Sequence, residues 1–139
     1  MLKQYRLIWL WPLLCLNLLH AEDLAPATLA RILKLVVVDA KETSIACTDP
    51  QLRFELGKVG LTVDPEARIV WVKTAQEKAK YKGSSRLTIS GQVADLNAGV
   101  IVALVGEGGH GVFFISKANA DANKVVLPGA VIKLGKVIQ

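Results

Sequence analysis

Two apolar runs, Val100 to Val105 and Val112 to Ile115, flank the stretch Gly106-Glu107-Gly108-Gly109-His110-Gly111, and this arrangement does most to restrict the fold. Runs of this length, rich in β-branched residues and separated by glycines, predict two strands joined as a β-hairpin. The glycine stretch superficially resembles a phosphate-cradling loop. Such a loop must lead from a strand into a helix whose first amides face the anion, whereas these glycines lead into a second strand-like run, so a turn is expected.

The preceding residues alternate. Leu29, Ile32, Leu33 and Val36 fall at helical spacing, with Pro26 near the first turn, where its missing N–H costs nothing. Val36-Val37-Val38 extends that helix or opens a strand. Thr43 to Cys47 predicts a strand. Thr48-Asp49-Pro50 then supplies a capping side chain and a proline for a helix running to about Val59, ended by Gly57 or Gly60. Ile69 to Val72 predicts a strand, Thr74 to Lys82 a polar helix and Arg86 to Ser90 a third strand. After the hairpin come a short helix or turn from Lys117 to Asn123 and a last helix opened by Pro128, carrying Val131, Ile132 and Leu134 inward and Lys133 and Lys136 outward. This grammar gives an α/β class: one compact domain, a mixed sheet with helices packed on it, and a C-terminal hairpin followed by a last helix.

The N-terminus predicts an address. Lys3 and Arg6 precede the apolar stretch 7–19, which ends in Leu19-His20-Ala21 before Glu22-Asp23. That is the layout of a secretory signal peptide cut after Ala21, and the stretch falls short of the roughly 20 residues that a membrane span needs. Removing residues 1–21 from the 139 leaves a 118-residue domain at 22–139 and lowers the net charge from +5 to +3. The densest basic cluster, Lys73, Lys78, Lys80, Lys82 and Arg86, is interrupted by Glu77 and Tyr81 and predicts a solvated face rather than a nucleic-acid site.

Chemistry-bearing residues are sparse after the cut. Cys47 is the lone cysteine there, which leaves no intramolecular disulfide and suggests a small buried apolar residue. His110 is the lone histidine, so a histidine-rich metal site is not expected. Glu107 with His110, or with Asp121, makes an acid/base pair only if a pocket holds it near a substrate. No Gly-x-Ser-x-Gly nucleophile elbow occurs. No catalysis, cofactor or metal is expected. Trp71 alternates with Val70 and Val72 and shares a face with Ile69. It is core if helices cover both faces, and a partner anchor if one face is open.

From Gly99 to Val137 the chain resembles the end of the YfiR-like family, whose pattern runs close to G-G-M-I-x-F-x-x-E-x-G-x-x-x-F-x-I-N and, after an alanine-containing segment, G-L-x-I-S-S-x-L-L-x-L-A. The matching positions are Gly99, Ile101, Val102, Glu107, Gly109, Phe113, Ile115 and Ala120, then Leu127, Val131, Ile132, Lys133 and Leu134. Thr48 to Pro50 is similar to the family's G-x-D-P-F turn. Ser116 stands where the family has asparagine, Pro128-Gly129 where it has a serine pair, and the middle is shorter. The resemblance implies a periplasmic α/β regulatory or adaptor protein acting by binding. In the family's namesake, that means restraining a membrane-bound diguanylate cyclase through its periplasmic part and so lowering cyclic-di-GMP signalling. The partner surface expected here is the hairpin around Glu107, His110 and Phe113 together with the last helix near Val131 and Leu134, unless these residues are core. The alternative is a small-ligand carrier with its pocket at the carboxyl ends of the strands.

Overall fold

The computed structural model describes residues 22–138, so the stretch read from the sequence as a signal peptide lies outside the described residues. Helix α1 (Pro26–Asp39) opens with its proline in the first turn and buries Leu29, Ala30, Leu33, Val36 and Val37. The valine run thus continues the helix: Val36 and Val37 lie on its buried face, and packing there outweighs their preference for strand. Strand β1 (Ser44–Ile45) leads through Asp49 into α2 (Pro50–Lys58), and β2 (Thr62–Val63) returns parallel to β1. Then come β3 (Ile69–Trp71), α3 (Ala75–Tyr81), β4 (Leu87–Ser90) and a 3-10 helix (Val93–Ala98). The hairpin strands β5 (Val102–Glu107) and β6 (His110–Ile115), helices α4 (Lys117–Ala122) and α5 (Gly129–Leu134), and strand β7 (Gly135–Val137) complete the chain.

The fold is α/β. Its five-stranded mixed sheet has the order β3-β4-β5-β6-β7, and β1 and β2 form a small sheet joined to it by a parallel bridge from Ala46 to Val70. Only the β5–β6 pairing is antiparallel in the larger sheet. The hairpin turn is Gly108-Gly109, with φ of +57° and +83°, the left-handed pair that a two-residue turn between twisted strands requires. No helix starts there, so this is a turn and not a phosphate loop.

Helices cover both faces. Leu52 and Leu56 of α2 and the buried face of α1 pack with Ile69, Trp71, Leu87, Ile89 and Leu104. Tyr81 of α3 packs with Val70 and Val72 on the opposite side. Trp71 is accordingly core, at 7% exposure. Among the described residues no helix is long and apolar enough to cross a membrane.

The C-terminal end differs from expectation. Val131 is fully buried, but Ile132 and Leu134 are more than half exposed, and Lys136 lies in β7 instead of on the helix. The helix has only six residues, enough for one inward position, and Val131 takes it. Gly135 then lets the chain turn directly into an edge strand beside β6. A Cβ at Gly135 would meet the Ile115 side chain and the Val131 carbonyl. The short strands β2 and β7 and the 3-10 helix carry too few residues for a periodic signal, which is why alternation along the sequence does not disclose them.

Candidate functional site

Strand β1 is followed by α2 on one face of the sheet and by β2 on its outer side, whereas β3 is followed by α3 on the other face and by β4 on the opposite side. The winding direction reverses between β1 and β3, and in open α/β sheets the crevice at the carboxyl ends of the strands beside such a reversal is the usual binding place. The carboxyl ends here carry Thr48-Asp49 after β1 and Lys73-Thr74 after β3.

Both junctions are built by helix capping. Asp49 Oδ1 accepts hydrogen bonds from the Gln51 and Leu52 amides, at 3.0 and 3.4 Å, and its Oδ2 faces Lys73 Nζ at 3.3 Å. At α3, Thr74 Oγ1 accepts from the Glu77 amide at 3.1 Å while Glu77 Oε1 accepts from the Thr74 amide at 3.1 Å, a reciprocal capping box. Glu77 Oε2 reaches across the reversal to accept from Thr48 Oγ1 at 2.8 Å. Partial burial works to raise the pKa of both carboxyls. The amide of Leu52, the Lys73 ammonium and the amide of Gln51 outweigh it at Asp49, and the bonds from Thr74, Thr48 and Lys73 outweigh it at Glu77, so both lie below the ordinary value.

Above these junctions lies a crevice of about 220 Å³. Leu29, Leu52, Trp71 and Leu104 give it apolar walls, and Asp23, Asp49, Lys73 and Asp95 give it charge. Asp95 is held by Lys78 Nζ at 2.6 Å, with the aspartate side chain only 10% exposed. A larger hollow of about 450 Å³ lies at the opposite end of the strands, beside Lys41, Arg68 and Lys124. It is away from the carboxyl ends, and all three of these cationic residues are exposed. Cys47 sits near the β1 junction, where burial pushes its thiol up to about 11, against the partial opposing effect of its bond to the Asp49 carbonyl. It is a protonated, unreactive thiol at neutral pH.

The residues singled out from the sequence fall elsewhere. Glu107 and His110 face each other across the last rung of the hairpin and are exposed. Phe113 and Val131 are buried in the main core, and neither can meet a partner. Leu134 is 67% exposed. None of these five lines the crevice. Among the described residues no group of three or more His, Cys, Asp or Glu side chains is placed to hold a metal ion. Asp49 was legible as a cap, and Thr74-Ala75-Gln76-Glu77 carries the capping-box spacing that marks the second junction. Asp95 and Asp23 have no local signal, because only the folded chain brings them to the crevice.

The fold is α/β, and the recess has apolar walls with Asp49 and Lys73, one residue from each junction, in its lining. No protein-family model, characterised protein or solved structure matches the chain.

Proposed function

We propose that this chain is an exported, YfiR-like regulatory or adaptor protein that binds the periplasmic part of a membrane signalling protein, with a diguanylate cyclase as the first candidate. The observation that carries the reading is the exposed apolar surface at the C-terminal end. Ile132 and Leu134 of α5, Val137 of the edge strand β7 and Ile138 after it are all 47–67% exposed within seven residues. β7 is an edge strand that offers Val137 beside a single charge, Lys136; edge strands are potential pairing sites, and larger exposed apolar patches mark interaction sites. The surface thus moves from the hairpin tip to α5 and β7, retaining Leu134.

One departure from the family pattern keeps a compatible role. Ser116, where the family pattern carries asparagine, accepts a hydrogen bond from the Asn119 amide as the N-cap of α4, a role that serine and asparagine fill about equally well. The test is cyclic-di-GMP in the native host. Deleting the gene raises it, the wild-type gene restores it, and Leu134→Asp with Val137→Asp does not restore it although the protein accumulates normally. Unchanged cyclic-di-GMP on deletion would refute the cyclase assignment. A second reading, a small-ligand carrier, is favoured by the crevice alone.

A further inference from the structure

We propose that the partner docks by strand addition: an extended segment in which apolar side chains alternate with a carboxylate pairs with the free edge of β7. The inference deepens the proposed function and rests on it, since that reading supplies a partner at the C-terminal surface and the edge defines which part of a partner fits.

The backbone selects a polypeptide. β7 ends the sheet order, and among the described residues no strand pairs with its outer side. In a parallel pairing alternate residues turn both backbone groups toward the neighbouring strand, and the residues between them turn theirs away. Val137 stands opposite Ile115, and the Ile138 amide donates to the Ile115 carbonyl at 3.0 Å. Val137 therefore points its N–H and C=O out from the sheet. Another chain can pair with these groups, as in other cases of β-strand addition, whereas the hydrocarbon of a lipid surface leaves an open sheet edge unsatisfied.

The side chains select the sequence of that polypeptide. Gly135 and Val137 share a sheet face with Ile115, and α5 lies on that face, because a Cβ at Gly135 would meet both the Ile115 side chain and the Val131 carbonyl. Val137 and Leu134, both more than half exposed, offer apolar contacts there. Lys136 projects from the opposite face, its ammonium 5.6 Å from the Phe114 ring, and it has no ion-pair partner among the described residues. From Ala122 to Ile138 the sequence contains Lys124, Lys133 and Lys136 and no acidic residue. The complementary charge has to come from outside this surface. A second copy does not supply it: two β7 edges would bring two Lys136 side chains onto one short pairing, and like charges opposed across strands repel. The fitting strand turns apolar side chains toward α5 and an Asp or Glu toward Lys136.

The test is photocrosslinking from Leu134 in the native host, with adducts mapped by mass spectrometry. Val137→Pro removes the outward N–H and leaves the bonds of Ile138 to β6 in place, and Lys136→Glu reverses the charge. Each should lower the adduct yield about fivefold or more, while Val137→Ile and Lys136→Arg stay within about twofold. The adduct should map to a partner segment with alternating apolar residues and an Asp or Glu among them. Protection of the Ile138 amide against exchange shows that β7 stays paired in Val137→Pro, and Lys136→Glu carries the test if it does not. No adduct to a membrane protein in the wild type overturns the partner reading and this inference together. Full adduct yield in a correctly paired Val137→Pro, or in Lys136→Glu, overturns the inference alone. So does an adduct of the chain to itself, which assigns the edge to a second copy, and so does sedimentation with phosphatidylglycerol vesicles that Lys136→Glu abolishes and Val137→Pro does not, which assigns the face to a lipid surface.

Discussion

At the residue scale, three helices end in the same motif with different residues. After α2, Gly60 is left-handed, with the Leu61 amide bonded to the Leu56 carbonyl and the Gly60 amide to that of Gly57. After α1 and α4 the same 6→1 and 5→2 bonds form around Lys41 and Lys124, at φ of +59° and +56°. A left-handed lysine is strained where glycine is not, although glycine loses more backbone entropy on folding. Lys41→Gly and Lys124→Gly should therefore each stabilise by up to about 1 kcal/mol in urea denaturation, whereas Gly60→Ala should destabilise. The capping carboxylates give a pH dependence. Asp49 and Glu77 have folded pKa values below their unfolded ones, so their contribution is complete above the unfolded values, near 4, and is lost as pH falls through the folded values. Acid unfolding monitored by circular dichroism should be shallower in Glu77→Gln. Cys47 has the reverse shift, from its ordinary value up to about 11, so stability falls as pH rises above about 9. At pH 8 a thiol reagent should label the native protein far more slowly than the unfolded chain.

At the scale of elements, what the sequence discloses depends on how long an element is and what flanks it. The hairpin, α1, α2 and the strand holding Trp71 were legible because each has a periodic run bounded by proline, glycine or a capping side chain. Strand β7 was not, because three residues with no turn signal before them cannot be told from the frayed end of α5. The same gap misassigned the last helix. Its inward and outward residues were read as a longer amphipathic segment, whereas only Val131 points in. Val131→Ala should cost about 1 kcal/mol or more through the cavity it leaves, while Leu134→Ala should change stability by no more than about 0.5 kcal/mol. Gly135→Ala should release β7, since an added Cβ meets the Val131 backbone as well as Ile115. Hydrogen exchange at the Val137 and Ile138 amides would report the release, and the Ile138 amide, bonded to the Ile115 carbonyl at 3.0 Å, should lose its protection.

For the whole molecule, the reversal of winding between β1 and β3 matters more than any single motif. It sets two capped helix starts, at Asp49 and Thr74, on either side of one opening, and the segment 22–25, bridged to Gly106 through Glu22, closes a third side. A reader of the sequence sees the caps but not the opening, since Asp23, Asp95 and Trp71 are far apart in the chain and share no spacing. The proposed partner surface follows the same rule in reverse. Phe113 and Val131 fill the core, and under the proposed reading the exposed apolar side chains beside them would be where a second protein is recognised. A photocrosslinking amino acid at Leu134, with one at His110 for comparison, tests this most directly in cells. A covalent adduct to the periplasmic segment of a membrane protein is expected from position 134 and not from position 110. No adduct from position 134, or the same adducts from both, would contradict it.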